Sequence, residues 1–386
     1  MPGKTNLAEA EPRSSATIPS FDLTRQNAAL KDELMQVISG IIDGGHFILG
    51  ENVVEFEKDM ARTCGVRFAV GVANCSDALY LALLACGIGP GDEVITTPFT
   101  FFATAGAIAR TGARPVFCDI DPATYNIDAR SIEGLVTART KAILPVHLYG
   151  QPCDMDPIVD VAKRHNLYVI EDAAQAIGAS YKGRPVGSLG DVACISFFPT
   201  KNLGAFGDAG VVVTDNADIA DRVRMLRVHG SRKKYYHELL GCNSRLDELQ
   251  AGILRLKLRY LPEWTARRRR IAARYVELLV DTPQVRSGML RLPVELGDTI
   301  HVYHQFTVAT PDRDRLQEHL KARGIGSTVY YPLPLHLQVV FRDLGYREGA
   351  FPEAERASRE VLSLPMFPEL TDEEIVRVVK AIRDFR

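Results

Sequence analysis

The sequence predicts an α/β fold, in which a large, mostly parallel sheet with helices on both faces is followed by a smaller α+β domain. Between residues 68 and 214, short apolar segments alternate with segments of helical periodicity. Strands that are buried on both faces between helices have this pattern. After about residue 260 the alternation ends, and a long helical segment leads into mixed strands and helices. We therefore predict a flexible arm over residues 1–18, a large domain over 19–260 and a small domain over 261–386.

Hydrophobic periodicity and end signals place the individual elements. Short apolar runs predict strands over residues 68–72, 93–96, 115–118, 140–146, 167–171, 193–198 and 209–214. Helical periodicity predicts helices over residues 27–42, 53–64, 76–85, 103–110 and 156–165. In the small domain we expect a helix over 261–279, strands over 302–309 and 327–331, and a last helix over 372–383. Thr371 and Glu374 form a capping-box pattern at the start of that last helix.

The charge balance gives no sign of nucleic-acid binding. The 386 residues include 46 Lys and Arg against 48 Asp and Glu, which leaves a formal net charge of -2. Proteins that bind phosphate backbones concentrate more Lys and Arg than this. The basic run from Arg267 to Arg270 precedes an apolar helical segment, and we interpret it as the solvated face of a helix start.

The cysteines and the hydropathy pattern exclude further classes of protein. The seven cysteines are scattered and contain no C-x-x-C pair, which argues against a disulfide framework and against a zinc site. The amino terminus has no apolar signal segment, and no stretch approaches ~20 uninterrupted apolar residues. We expect a cytoplasmic protein with reduced thiols, no metal and no membrane span.

A carboxylate lies at the end of one predicted strand, where the ligands of α/β sheets bind. Asp172 follows apolar residues there, and an unpaired carboxylate in such a place is costly. A pyridinium N–H would satisfy it and would keep an aromatic ring protonated as an electron sink. Gln175 lies three residues on, in reach of a phenolic oxygen on the same ring. A salt-bridged aspartate is the alternative interpretation.

Lys201 lies in a loop at the end of another predicted strand. The strand ends near Ser196, and a glycine-rich segment over residues 204–210 follows the lysine. Apolar surroundings lower the pKa of a lysine, and imine formation needs a lowered pKa. Most lysines are surface charges, so Lys201 indicates a functional site only in combination with its neighbours.

Two further loops at strand ends complete the set of candidate functional loops. Over residues 72–79, small polar residues begin a helix and leave its first N–H groups free for an anion such as phosphate. A plain helix cap by Asn74 or Ser76 is the alternative there. Phe101 follows a third strand, and its ring is suited to stack on a planar cofactor. A core aromatic is the alternative for Phe101.

With these loops in this order, the chain resembles the sugar aminotransferases of the DegT/DnrJ/EryC1/StrS family. The matching stretches run from about Phe47 to Thr371 and include VANCSDALYLAL, TPFTFFATA, VIEDAAQAIGASYKG, ISFFPTKNLG and NSRLDELQAGIL. The resemblance implies the fold type I, aspartate-aminotransferase-like architecture of pyridoxal-phosphate-dependent transferases. It also implies transfer of an amino group from an amino acid, with glutamate the expected donor, to a keto group on a nucleotide-linked sugar.

The resemblance implies a cofactor site for pyridoxal 5′-phosphate. Lys201 is similar to the lysine that holds this cofactor as a Schiff base, Asp172 to the partner of its ring nitrogen and Gln175 to the partner of its ring hydroxyl. The other implied cofactor ligands are the phosphate-binding Ser76, Asp77 (through its backbone N–H) and Ser196, the stacking Phe101, and Asn243 from the neighbouring subunit. Cys75 departs from the family, which commonly has a small residue, often glycine, at that position.

The resemblance also implies a homodimer with shared active sites and a set of substrate contacts. Arg245 is similar to the substrate-side companion of Asn243, and His147 and Tyr331 match positions near the cofactor and substrate. We expect Tyr331 and His336 to line the sugar pocket, and we favour a 3-keto sugar over a 4-keto sugar. The basic segment over residues 232–234 is a candidate for the nucleotide diphosphate, and a solvated loop is the alternative.

Three other functions compete with transamination. Sugar dehydratases of the same family have histidine in place of the imine lysine, so Lys201 argues against that chemistry. A non-catalytic regulatory or DNA-binding protein is disfavoured by the balanced charge. A nicotinamide-dependent oxidoreductase is disfavoured because the glycines at 87, 89 and 91 precede a strand and break the G-x-G-x-x-G pattern.

Overall fold

The computed structural model describes residues 17–385. The predicted flexible arm therefore lies outside the described residues, apart from residues 17 and 18. Ile18 is buried, and its backbone bridges to Ile325 in the carboxyl-terminal part of the chain. The described chain thus begins packed against the region that the sequence predicted as the small domain.

Strands and helices alternate through most of the described chain. The strands are β1 (Phe68–Val72), β2 (Glu93–Thr96), β3 (Arg114–Phe117), β4 (Thr140–Leu144), β5 (Tyr168–Asp172), β6 (Ser180–Tyr181), β7 (Arg184–Pro185), β8 (Val192–Ser196), β9 (Gly210–Thr214), β10 (Ser231–Lys233), β11 (Tyr236–His237), β12 (Thr299–Ile300), β13 (Phe306–Ala309) and β14 (Val361–Leu364). The helices are α1 (Thr24–Ala29), α2 (Lys31–Gly44), α3 (Glu51–Cys64), α4 (Cys75–Ala85), α5 (Ala103–Arg110), α6 (Met155–His165), α7 (Ala217–Leu226), α8 (Glu248–Leu258), α9 (Leu261–Leu279), α10 (Pro283–Arg286), α11 (Arg313–Ala322), α12 (Pro352–Glu360) and α13 (Asp372–Arg383).

One large sheet organises the first part of the fold. Within residues 17–385 its seven strands lie in the order β1-β9-β8-β5-β4-β2-β3. The strands from β8 to β3 run parallel, whereas β9 is antiparallel to both β1 and β8. All residues of β8 and β9 are buried, as expected of strands that helices cover on both faces. The predicted α/β class with a mostly parallel sheet is confirmed.

Alternate side chains of the strands enter two apolar layers on opposite faces of the sheet. Val211 of β9 belongs to the layer that contains Phe56 of α3 and residues of α6 and α8. Val212 belongs to the other layer, with Leu79 of α4 and residues of α5 and α7. Helices on both faces thus hold the strand ends in fixed positions.

The carboxyl-terminal region has its own small sheet and apolar cluster. β13 and β14 pair antiparallel, and Tyr275, Phe306 and Phe367 are fully buried in this cluster. The last helix has the predicted bounds, and Thr371 and Glu374 form the predicted capping box. The division of the chain near residue 260 stays a prediction, which the separate sheet and cluster support.

The structure differs from the prediction at two strands of this region. The predicted strand over 302–309 is reduced to β13, because the amides of Val302 and Gln305 donate to the carbonyls of Gly150 and Tyr149 instead of to a strand. Residues 327–331 form no strand in the described chain, where Thr328 makes an isolated bridge to β14. The partner of β13 is β14, which the sequence analysis did not predict.

The expectation that the whole run from Arg267 to Arg270 is solvated is also wrong. An α-helix turns by about 100° per residue, so four consecutive arginines cannot share one face. Arg268 is 2% exposed. Its guanidinium donates to three backbone carbonyls, those of Tyr303, His304 and Met366.

Neither a membrane-spanning helix nor a metal-binding cluster is present in residues 17–385. No helix there is long and apolar enough to cross a membrane. In the same range, no group of three or more His, Cys, Asp or Glu side chains could hold a metal ion. All seven cysteines are free thiols.

Candidate active site

Asp172 ends β5 and is 5% exposed. Its backbone is held between neighbours, since its amide donates to the carbonyl of Pro145 and its carbonyl accepts from the amide of His147. One carboxylate oxygen accepts a hydrogen bond from the Thr104 hydroxyl at 2.8 Å, and the other accepts from the amide of Ala174 at 3.2 Å. Burial raises the pKa of Asp172, and these two hydrogen bonds oppose the rise.

The Asp172 carboxylate has no cationic partner in salt-bridge range among residues 17–385. The alternative of a salt-bridged aspartate therefore finds no support in the described chain. Two hydrogen bonds occupy only part of the roughly four acceptor positions of a carboxylate. A protonated ring nitrogen fits such a buried acceptor, because it supplies both a donor and a compensating charge.

Lys201 lies in the loop between β8 and β9, on the carboxyl side of β8. Its amide donates to the carbonyl of Phe198 at 2.8 Å, which turns the chain tightly after the strand. Burial lowers the pKa of the Lys201 amine, and the nearby Cys75 and Asp172 act in the opposite direction. A lowered pKa leaves more of the amine unprotonated and able to attack a carbonyl carbon.

The glycines around Lys201 permit close backbone approaches. A Cβ atom on Gly204 would lie 2.2 Å from the carbonyl oxygen of Pro199, and one on Gly210 would lie 2.5 Å from the backbone of Asn74. Gly210 also pairs with Ser196 across the β8–β9 ladder. The end of β8 and the start of α4 therefore meet at Gly210, as a phosphate site shared by Ser196 and Ser76 requires.

The start of α4 differs in one detail from the prediction. Asn74 caps the helix, and its side-chain oxygen accepts from the amide of Asp77 at 2.8 Å. The backbone N–H that was predicted to bind phosphate at Asp77 is therefore already occupied, and the Asp77 carboxylate pairs with Arg110 at 2.7 Å. Ser76 is exposed on the first turn. Asn74 is thus the helix cap, as the alternative interpretation held, while Ser76 stays available to bind a phosphate.

Gln175, Tyr331 and Phe101 come together beside this cluster. The Gln175 side chain accepts from the amide of Tyr149 at 2.6 Å and donates to the hydroxyl of Tyr331 at 3.1 Å. The rings of Tyr331 and Phe101 have centroids 6.2 Å apart. Phe101 is 57% exposed, so the core-aromatic alternative does not describe it and its ring is free to meet a ligand.

The two histidines that were predicted to lie near the substrate are buried, and each ring bonds to a glutamate. The His147 ring bonds to Glu171 at 3.0 Å and accepts from the amide of Cys153 at 3.1 Å. Since residues 171 and 172 point to opposite faces of β5, this ring lies behind the sheet from Asp172. His336 is 1% exposed and bonds to Glu355 at 3.0 Å. Neither placement supports substrate contact, and the roles of both residues stay untested predictions.

Asn243 and Arg245 lie on the segment that leads into α8. Asn243 is exposed and bridges to Val228 through its backbone, and Arg245 is half-buried. Within the described residues of this chain, neither side chain hydrogen-bonds to Asp172, Ser196 or Lys201. Their positions leave them available to a second subunit.

Thr104 and Thr100 are site residues that the sequence reasoning missed. The Thr104 hydroxyl donates to Asp172 and lies 3.0 Å from the Thr100 hydroxyl. Both residues belong to the TPFTFFATA stretch, of which the sequence analysis used only Phe101. The spacing of four residues between the threonines, at the start of a predicted helix, was the available signal.

Comparison with known proteins gives close relatives over nearly the full chain. A pleiotropic regulatory protein of Geobacillus stearothermophilus is 54% identical, covering 95% of this chain and 98% of its own. A UDP-N-acetyl-3-dehydro-alpha-D-glucosamine 3-aminotransferase of Acidithiobacillus ferrooxidans is 48% identical, covering 96% and 98%. A dTDP-3-amino-3,4,6-trideoxy-alpha-D-glucose transaminase of Streptomyces venezuelae is 45% identical, covering 95% and 96%.

The structural comparison and the family comparison agree with these relatives. A crystal structure of S. venezuelae DesV in complex with a ketimine intermediate superposes with a TM-score of 0.93 at 45% identity, covering 96% of this chain and 98% of that one. The family model of the DegT/DnrJ/EryC1/StrS aminotransferases matches residues 28–383. The chain therefore belongs to the DegT/DnrJ/EryC1/StrS aminotransferase family.

Proposed function

We propose that the chain transfers an amino group from an amino acid, with glutamate as the donor, to the keto group of a nucleotide-linked sugar. The observation that carries this proposal is the position of Lys201 and of the buried Asp172 carboxylate, which has no salt bridge within the described residues, at the carboxyl ends of the adjacent strands β8 and β5. The names of the relatives support the sugar substrate, since those at 48% and 45% identity are a UDP-sugar aminotransferase and a dTDP-sugar transaminase. The product serves amino-sugar biosynthesis.

Pyridoxal 5′-phosphate is the cofactor, and when bound it supplies a protonated aromatic ring that stabilises negative charge on the carbon beside the amino nitrogen. Asp172 would hold the proton on the ring nitrogen, and Gln175 would bond to the ring hydroxyl. The residues that would hold the rest of the cofactor are Phe101 against the ring face, and Ser76, Ser196 and the partner subunit's Asn243 at the phosphate.

Lys201 has two tasks in this proposal. Its amine would hold the cofactor covalently before the donor arrives, and it carries a proton to and from the α-carbon of the amino acid afterwards. A buried amine with a lowered pKa suits both tasks, because general acid–base transfer is most efficient when the pKa lies near the working pH. The imidazole that characterises the dehydratases of the family is absent from position 201, so amino transfer is favoured over dehydration.

The keto group lies at C3 of the sugar in this proposal. The names of these two relatives place the amino group at carbon 3. Tyr331 is the substrate-side residue that the geometry supports, because its hydroxyl meets Gln175 and its ring lies beside Phe101. Arg245, the substrate-side companion of Asn243, would reach the same sugar from the partner subunit.

A homodimer with shared active sites completes the proposal, and an apolar surface near Lys201 supports it. Phe101, Phe198 and Phe206 are 57%, 49% and 42% exposed, and Leu240 is 96% exposed. Exposed phenylalanines are enriched at protein–protein interfaces. In a two-fold dimer, each subunit would cover the surface of the other and extend Asn243 towards the opposite site.

The free thiols support a cytoplasmic location.

A non-catalytic regulatory protein is the second candidate, because the relative at 54% identity carries a regulatory name. A regulatory role does not need the lysine and the buried carboxylate of an aminotransferase site, whereas Lys201 and Asp172 are both present here. Salt-sensitive DNA binding by a protein that does not bind pyridoxal 5′-phosphate would favour this candidate.

The proposed reaction predicts that the pyridoxamine form of the enzyme reacts with a nucleotide-linked 3-keto sugar. We expect the absorbance of the aldehyde form of the cofactor to return when the correct sugar is added, and 4-keto sugars to react far more slowly. Lys201→Ala should abolish both the absorbance of the lysine-bound cofactor and turnover, whereas Lys141→Ala, at an exposed position, should change neither. Multiple turnovers by Lys201→Ala without an added amine would contradict the mechanism.

Shared active sites predict complementation between two inactive variants. Lys201→Ala and Asn243→Ala homodimers should each be inactive or nearly so, and their mixture should regain activity after subunit exchange. A heterodimer has one site that combines an intact Lys201 with an intact Asn243, so random exchange should restore about a quarter of the wild-type sites. Activity measured before and after exchange tests this, and no recovery despite proven exchange would contradict a shared site.

The hydrogen bond from Thr104 to Asp172 predicts a shift in the pH dependence of activity. Thr104→Val removes a donor to the carboxylate, so the pKa of Asp172 should rise further and the acid limb of the kcat/KM profile should move to higher pH. We expect kcat/KM to fall about tenfold or more, since a hydrogen bond to a charged group contributes about 1.5–3 kcal/mol. Thr104→Ser keeps the hydroxyl and should retain the wild-type profile. Identical profiles for the valine variant and the wild type would show that Thr104 does not act through Asp172.

A further inference from the structure

Two polar side chains of α8 contact the segment that follows Lys201. Gln250 bonds to both backbone groups of Phe206, accepting from its amide at 2.8 Å and donating to its carbonyl at 3.2 Å. Lys257 donates from its ammonium to the carbonyl of Gly204 at 2.6 Å. Gln250 and Lys257 are seven residues apart, so they lie on one face of the helix, two turns from each other. This face holds a short stretch of backbone at two points.

Lys257 is an unusual residue to find in this position. It is 1% exposed, and lysines are almost never fully buried unless they are paired. The rings of Phe206 and Trp264 lie 5.4 Å and 6.0 Å from its nitrogen. Glu369 is the acidic group whose charge acts on Lys257, but the two form no ion pair within the described residues. Burial lowers the pKa of Lys257 to about 8.

A buried charge without an ion-pair partner costs stability. A leucine or methionine at position 257 would fill the same space without that cost. The hydrogen bond to Gly204 is therefore the feature that distinguishes a lysine from an apolar residue here. That bond acts on the chain three residues after Lys201.

The contacts of Gly204 and its neighbours explain how this bond reaches Lys201. The amide of Ala205 donates to the carbonyl of Phe197 at 2.8 Å, and the amide of Lys201 donates to the carbonyl of Phe198 at 2.8 Å. Gly204 packs against Pro199 so closely that a Cβ atom would overlap the carbonyl oxygen. Residues 197–206 thus form a closed loop with Lys201 inside it. Holding the loop at Gly204 and Phe206 fixes its orientation relative to β8.

The other contacts of α8 make it a firm support. Glu248, at its first position, is 3% exposed and accepts from the amides of Gly50, Asn52 and Val53 at the start of α3. α8 is therefore anchored to α3 on the sheet side. A helix fixed in this way can hold the loop with little movement.

We propose that Lys257 and Gln250 are positioning residues for Lys201, which hold its loop by the backbone of Gly204 and Phe206 so that the amine meets the reacting carbon. This inference rests on the proposed function of Lys201. Both residues act through the backbone of this loop. Without the two contacts the loop remains folded on β8 but the direction of the Lys201 side chain is less restricted.

The first test measures backbone hydrogen exchange in the enzyme without cofactor, so that it does not depend on catalysis. In Lys257→Met we expect the peptide over residues 197–206 to exchange about tenfold faster or more, while the peptide over β1 is unchanged. Leu279→Ala, which opens a cavity in the carboxyl-terminal cluster, serves as a control for general loss of stability. It should leave exchange over residues 197–206 at the wild-type rate once the difference in stability is taken into account.

The second test uses the absorbance of the enzyme loaded with pyridoxal 5′-phosphate. In Lys257→Met the pH at which this absorbance titrates should shift, and kcat should fall about tenfold or more while KM stays within a few fold. Leu279→Ala should keep the wild-type titration. If Lys257→Met does not fold, Gln250→Leu provides the same measurements. That substitution removes the second contact, and Gln250 is only half-buried.

The outcomes separate this inference from the proposed function. Faster exchange over residues 197–206 together with a shifted titration supports the positioning role. Unchanged exchange and an unchanged titration in both variants would overturn it, while leaving the assignment of Lys201 intact. If Lys201→Ala still binds the cofactor covalently and turns over, the proposed function fails, and with it the link from this loop to catalysis, whatever the exchange shows.

Discussion

The burial of the Asp172 carboxylate is the constraint on which the rest of the site depends. A carboxylate removed from water must be hydrogen-bonded or paired with a positive charge, and here the protein provides two hydrogen bonds and no salt bridge within the described residues. Strand β5 lies between β4 and β8 and fixes the position of Asp172 at its carboxyl end. The missing charge is best supplied by the protonated ring of a cofactor. In the proposed function, catalysis and the stability of the buried group therefore depend on the same partner.

The single antiparallel strand of the large sheet, β9, brings the second half of the site to this carboxylate. Because β9 returns directly from β8, the connection between them stays at the carboxyl edge of the sheet and carries Lys201. The close approach of Gly210 to Asn74 brings the start of α4 to the same edge. On the far side of the loop, α8 holds Gly204 and Phe206.

Much of the fold and of the central site could be predicted from the sequence, because both follow from local patterns. Apolar strands and capped helices are set by neighbouring residues, and ligands of α/β sheets collect at strand ends. The placement of Asp172, Gln175, Ser196 and Lys201 at one edge follows from these two facts. Their roles in binding and catalysis stay predictions that the proposed experiments test.

The features that the sequence reasoning missed depend on contacts between distant segments. His147 and His336 carry no local sign that each ring bonds to a buried glutamate, 24 and 19 residues away in the chain. Arg268 enters the core because the helix turns it towards carbonyls about 35 and 98 residues away. Thr104 bonds to a carboxylate 68 residues later. Periodicity indicates that such residues face the interior, but it does not identify the partner that they meet there.

The covalent attachment point of the cofactor is the most direct test of this account. Reduction of the loaded enzyme with borohydride makes the link between cofactor and lysine permanent, and mass spectrometry of the digested protein then locates the modified residue. The account predicts a pyridoxyl group on Lys201 and on no other lysine. A pyridoxyl group on a different lysine, or none on a protein that has bound the cofactor, would contradict it.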